Sequence, residues 1–159
     1  MKELTALITP SKEHPSRAKS KDTFQSILGL SNEMLLWIYG VGHQLHIEKK
    51  HEKALIIFNL LVTLNPLVAD YFVAKGLTER SLEKNTEALY SFAMASMMNP
   101  HHPVARYNAA EIYLQNHKQE DARLEFEVLE EIVRTGKHEQ FRPAVEAMRG
   151  KVVFIKKAS

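Results

Sequence analysis

The sequence predicts an all-α fold: an α-solenoid of three helix–turn–helix repeats, with a short N-terminal helix before it and a C-terminal capping helix after it. Three observations predict this. Residues recur in columns thirty-four positions apart, namely Gly42, Gly76 and Ala110, then Ala54, Ala88 and Ala122, then Phe58, Phe92 and Phe126. The pairs Asn65-Pro66 and Asn99-Pro100 keep the same interval, which Arg134 does not continue. Between these marks the apolar residues recur at helical spacing.

This period and residue pattern is that of tetratricopeptide repeats. Residues 1–21 form a flexible N-terminal extension, because residues 10–21 are polar, hold two prolines and show no apolar period. The repeat domain covers 22–150. Asp22 with Gln25 makes a capping-box-like start to a helix over 22–29, in which Phe24, Ile27 and Leu28 share a face and Gly29 ends the element. Ser31 caps a helix from about Asn32 to Ile47. The polar turn Glu48-Lys49-Lys50-His51 leads into a second helix from about Glu52 to Leu64. Asn65 then stops it, since a residue before proline disfavours helix. The pair repeats near 69–82 and 86–98, and again near 103–116 and 120–134, giving repeats of about 35–68, 69–102 and 103–136. Thr135-Gly136 ends the last of these. A capping helix near 140–149 carries Phe141, Val145 and Met148 on one side and accepts Pro143 only in its first turn. Residues 151–159 are left as a C-terminal tail, apolar at Val152-Val153-Phe154-Ile155 and then charged.

Each column has a physical reason. A small residue on each first helix, and an alanine on each second helix, let the two approach closely. Phe58, Phe92 and Phe126 are expected to fill the space between units, and Phe92→Ala is expected to cost about 3–5 kcal/mol through the cavity it leaves. One hairpin cannot bury its apolar face alone, so three hairpins and their caps form the cooperative block.

Composition narrows the function classes. At 159 residues, 45% apolar and 25% charged, the chain has the makeup of one soluble domain. No apolar run approaches a membrane span, and Met1 to Pro10 is too interrupted for a secretory signal. Cysteine is absent, which excludes disulfides and thiolate chemistry. Net charge is +2, with +3 on residues 1–21 (five basic against two acidic side chains) and −1 on the rest. So even a balance gives little footprint for nucleic acid.

No catalytic motif is present. His51-Glu52 begins like a zinc-protease helix, but the second histidine it needs falls at Leu55. Gly40-Val41-Gly42 lies inside a helical pattern and reads as close packing, not a phosphate loop. Glu130 and Glu131 read as a solvated helix face. His43 and His46, three apart, share a helix face that a metal or a pH switch could use, yet spacing offers no third ligand and the simpler reading is a polar patch. No enzyme activity, cofactor or metal is expected.

In tetratricopeptide proteins the second, fifth, ninth and twelfth positions of a repeat face the concave groove. Here that implies Leu36, Tyr39, His43 and His46, then Asp70, Val73, Leu77 and Arg80, then Val104, Tyr107, Glu111 and Leu114. Apolar anchors interleaved with a few charges suit an extended peptide. The carboxylate clamp of heat-shock co-chaperones would fall at Tyr39, His43, Ala74, Val104 and Asn108, and only Asn108 matches it, so a terminal carboxylate would lack its charge-assisted bonds.

From about Leu30 to Met148 the chain resembles the class II chaperones of bacterial type III secretion, which serve hydrophobic translocator proteins. The resemblance rests on three repeats after a polar extension and short helix, on Leu30-Ser31, Tyr39, the Phe72-to-Gly76 stretch, Ala109-Ala110-Glu111-Ile112-Tyr113-Leu114, and Phe141 in the cap. It implies a cytoplasmic holdase that binds an extended translocator segment in its groove and keeps it soluble before export. It implies no nucleotide or metal, no direct membrane insertion, and self-association as a homodimer through Phe24, Ile27 and Leu28. His43 and His46 depart from the aromatic-rich groove of that family. The alternative is a general tetratricopeptide scaffold joining components of another complex.

Overall fold

The computed structural model describes residues 23–136 and 138–156, so the extension 1–21 and the Asp22 cap lie outside the described residues. The described residues are helical and divide into two compact units, meeting in sequence at Met98 and Asn99. The first unit holds α1 (Phe24–Ile27), α2 (Asn32–Ile47), α3 (His51–Leu64), α4 (Ala69–Ser81) and α5 (Asn85–Met98). The second holds α6 (Pro103–Gln115), α7 (Gln119–Arg134), a 3₁₀ turn (Glu139–Phe141) and α8 (Arg142–Lys156). The six repeat helices fall within one residue of their expected bounds. All three hairpins pack as pairs, α2 on α3, α4 on α5, and α6 on α7.

The columns do what their residue types require. A Cβ added at Gly42 would lie 2.8 Å from Cε1 of Phe58, and one at Gly76 would lie 2.8 Å from Cε1 of Phe92. Glycine at those points is therefore a condition of helix approach, and both rings are fully buried. Leu35, Ala54, Leu61, Leu64, Val68 and Ala74 complete the core around Phe58. In the second unit Phe126, Leu129, Ile132 and Val133 of α7 are buried, as are Phe141, Val145 and Met148 of the cap, with α7 packed on α8.

Each first helix of a hairpin ends in the same way. Lys49, Glu83 and His117, thirty-four residues apart, have φ of 59°, 61° and 57°, in the left-handed region that glycine usually occupies at a helix end. The next residue reaches back to close the turn: Lys50 N–H to Leu45 O, Lys84 N–H to Glu79 O and Lys118 N–H to Tyr113 O, each 2.9 Å. Gly29, with φ 65°, closes α1 in the same manner.

Two expectations change. Thr23, not Asp22, caps α1 by accepting from Ser26 N–H. Gln25 makes no capping box; it is buried, accepting from Asn65 Nδ2 (2.7 Å) and donating to Asn32 Oδ1 (2.7 Å), which ties α1 to the ends of α2 and α3. The closing helix does not stop at 149 but runs to Lys156. Val152 is buried, which extends the stripe of Val145 and Met148 by one more turn.

Candidate functional site

In the first unit the expected ligand-facing residues separate into two groups. Tyr39 and Val73 are buried. Tyr39 packs its ring 5.8 Å from both Phe58 and Tyr71, centroid to centroid, and 6.4 Å from His43. It is a core residue, because the helix face that carries it also receives Tyr71 from α4. Leu36 is exposed, while His43, Asp70, Leu77 and Arg80 are half-buried. Burial and then the Asp70 carboxylate push the Tyr39 hydroxyl up, and the same two causes raise Tyr71 to about 12. Both phenols stay neutral donors beside that carboxylate.

The histidines form a cluster rather than a lining patch. His46 is buried, with Nδ1 3.0 Å from Thr78 Oγ1. The Thr78 hydroxyl donates to Ala74 O at 2.8 Å. It therefore accepts from His46, whose proton sits on Nδ1. His51, just beyond the turn, sets its ring edge-on to His46 at 4.9 Å. Burial, then the neighbouring His51 and His43, lower the His46 pKa to about 4, and burial also lowers that of His43. Nε2 of His43 and Nδ1 of His51 are buried without a hydrogen-bond partner among the described residues. Among those residues no group of three His, Asp or Glu side chains could hold a metal ion. A crevice too tight to admit a water molecule is lined by His43, His46, Phe58, Ala74 and Leu77. It joins three of the expected residues, and the little surface it exposes is apolar.

Sequence reading passed over one network in this unit. Lys75 Nζ donates to Glu79 Oε1 (2.6 Å) and Ser91 Oγ (3.1 Å), and Ser91 donates to Glu79 Oε2 (2.6 Å). Glu79 is buried. Lys75 and Glu79 stand four apart on α4, a spacing that could have revealed the pair; Ser91 on α5 could not be found that way.

In the second unit Val104, Glu111 and Leu114 are half-buried on α6 and Tyr107 is buried. Tyr107 donates its hydroxyl to Glu111 Oε1 at 2.8 Å, and Asn108 donates its amide to Val104 O at 2.8 Å. Asn108, the one match to a carboxylate clamp, thus bonds its own helix. A concavity that sequence reading did not single out lies between α7 and α8, where Glu127, Glu130, Glu131 and Glu146 alternate with Arg134, Arg142 and Arg149. The ion pair Arg149–Glu130 joins α8 to α7 across it, and Arg134–Glu131 lies along α7. Such a surface is wet and self-paired, and offers an apolar segment only Val133 and Val145.

Large apolar side chains are exposed at the start of the first unit. Phe24, Ile27 and Leu28 are 59%, 70% and 61% accessible. Among the described residues no helix is long and apolar enough to cross a membrane.

No protein-family model and no curated protein sequence matches the chain. Solved structures do. PcrH from Pseudomonas aeruginosa, in complex with the chaperone-binding region of PopD, superposes with a TM-score of 0.75 at 28% identity, over 80% of this chain and 97% of that one. The Yersinia enterocolitica type III secretion translocator chaperone SycD gives 0.72 at 18% identity, over 82% and 96%. A type III secretion complex from Aeromonas hydrophila gives 0.80 at 23% identity, over 86% and 92%. PcrH is also solved with the chaperone-binding region of PopB, and SycD with a peptide of the translocator YopD and as an alternative dimer. The resemblance drawn from the repeats is borne out: the chain has the fold of the type III secretion translocator chaperones.

Proposed function

We propose that this chain is a class II type III secretion chaperone. It holds an extended apolar segment of a hydrophobic translocator and keeps that protein soluble and partner-free before export. The observation that carries the reading is the match, in repeat architecture and in sequence, to PcrH, itself solved with the chaperone-binding regions of two partners. The proposed contacts are Leu36, Tyr39, His43, His46, Asp70, Val73, Leu77 and Arg80 in the first unit, and Val104, Tyr107, Glu111 and Leu114 in the second. Within the first set, Leu36, His43 and Leu77 offer surface directly, and Tyr39 and Val73 hold them in place from beneath. The chain works by binding, in the cytoplasm, without catalysis, nucleotide or metal. It pairs with a second copy through Phe24, Ile27 and Leu28, whose exposure supports an apolar contact there.

The energetics suit a reversible holdase. Each apolar side chain docked recovers roughly 1.5–3 kcal/mol. Ordering an extended segment offsets much of that. A net of about −8 kcal/mol corresponds to a micromolar Kd.

Copurification from the native host, read by mass spectrometry, tests the proposal. A membrane-active secreted protein is the expected companion, and its absence would remove the function. The substitutions Leu36→Glu and Leu77→Glu together are expected to weaken capture about tenfold or more while circular dichroism stays unchanged. Undiminished capture would remove the inner face of the first unit from the mechanism.

A further inference from the structure

Three imidazoles from two helices gather in the first unit, and two of them hold a buried nitrogen with nothing bonded to it. Nε2 of His43 and Nδ1 of His51 have no hydrogen-bond partner among the described residues, while Nδ1 of His46 is bonded to Thr78. His43 shares its crevice with His46 of its own helix, with Phe58 of α3, and with Ala74 and Leu77 of α4, and the Tyr39 ring stacks on it at 6.4 Å. No carboxylate lines that crevice. Among the charged side chains of the three helices and their turns, Glu48 pairs with Lys50, Glu79 with Lys75, and Asp70 acts on the Tyr39 and Tyr71 phenols. Glu33, Glu52 and Lys53 are exposed, and Arg80, half-buried one turn beyond Leu77, brings positive charge. A neutral His43 can leave Nε2 as a bare acceptor. The imidazolium carries N–H on both ring nitrogens, so protonation buries an N–H with nothing to accept it, in a crevice with no anion to balance the charge.

We propose that client capture through His43 is proton-gated: the neutral imidazole forms part of the face that receives the apolar segment, and its protonation releases that segment. This inference rests on the proposed chaperone function and names a regulation of the same site. Leu77 holds in the second repeat the position that His43 holds in the first, and both are half-buried. An apolar segment laid over the two takes water from the part of the imidazole that still has it. Burial already lowers the His43 pKa, and such a cover lowers it further. Binding the client and binding the proton therefore oppose each other, and equally in both directions. Affinity is complete above about pH 6.5, falls as pH drops through the pKa of the free chain, and levels off below that of the complex.

The chaperone-binding region of PopD, held by PcrH in its solved complex, serves as the probe. Titrated into the full chain by calorimetry, it is expected to bind several-fold more weakly at about pH 5 than at about pH 7.5, with circular dichroism the same at both. His43→Leu, which gives the first repeat the residue of the second, is expected to bind equally at the two pH values. Should that variant fold poorly, the His43 Cε1 proton of the unaltered chain gives an independent reading by NMR. Its titration is expected at lower pH in the complex than in the free chain, by the logarithm of the limiting fold-change in affinity. Equal affinity at both pH values, an unshifted His43 titration, or a pH dependence that survives in His43→Leu would overturn the proposal and leave the chaperone function standing. No binding at about pH 7.5 would overturn the chaperone function, and the proposal with it.

Discussion

The α2–α3 and α4–α5 hairpins each press a glycine of the first helix onto a phenylalanine of the second, so closely that a Cβ added at either glycine would lie 2.8 Å from the ring. Beside that contact they part. The first hairpin places Val41, Leu45 and Ile57 where the second places Lys75, Glu79 and Ser91, all thirty-four residues apart. Leu45 and Ile57 are partly buried hydrophobics against the core, whereas their counterparts form a closed ionic network. In these two hairpins the glycine–phenylalanine contact leaves no room for a Cβ, because it sets how near two backbones come. Its neighbours need only be compatible with one another, as three apolar groups or as an ion pair with every polar atom bonded. Exchanging a buried ion pair for well-packed apolar groups is often neutral or favourable, while breaking it singly is costly.

Substitutions in the two hairpins test that distinction. Phe58→Ala and Phe92→Ala are expected to cost about 3–5 kcal/mol each, by urea denaturation, since both rings are fully buried. Clearly unequal costs would mean that the two contacts are not equivalent. Lys75→Met, which leaves the Glu79 carboxylate buried beside Ser91 alone, is expected to cost about 3–5 kcal/mol. The full exchange Lys75→Val, Glu79→Leu, Ser91→Ile recovers that loss; a triple variant no better than the single one would show that the network does more than satisfy itself.

Acid separates the hairpins differently. Folding lowers the His46 pKa from 6.5 to about 4, so the folded chain binds fewer protons than the unfolded one between those values. The stabilising contribution is complete above pH 6.5 and is lost as pH falls toward 4. The second hairpin carries Arg80 at that position, which does not titrate in this range. Amide exchange is therefore expected to rise in α2 and α3 before α5 as pH falls, and His46→Leu to flatten the slope. The smallest effect lies at the helix starts. Ser31 Oγ accepts from Met34 N–H at 3.1 Å, whereas Val68 at the start of α4 makes no side-chain cap. Ser31→Ala is expected to cost about 1 kcal/mol in the same denaturation assay.

The period made the hairpins legible, and with them the helix limits and the glycine–phenylalanine columns, because these are dictated by local chemistry repeated three times. Other features were set by what lies opposite. Tyr39 occupies a ligand-facing position by counting, yet Tyr71 comes to rest against it. His51 joins His46 only because the turn folds back, and no helical spacing links residues on either side of a turn. Gly150, a poor helix residue, obscured the passage of α8 into the apolar Val152. Among the proposed contacts, residue types alone could not tell the exposed Leu36 from the buried Val73.

Lys49, Glu83 and His117 share no chemistry, yet all three hold a left-handed conformation that disfavours side chains by roughly 1–2 kcal/mol. The turn between the two helices of each hairpin dictates that angle whatever residue stands there, so the backbone closure is constant while the side chain is free to vary. Substituting glycine at all three turns would relieve that strain and offers a direct route to a more thermostable protein.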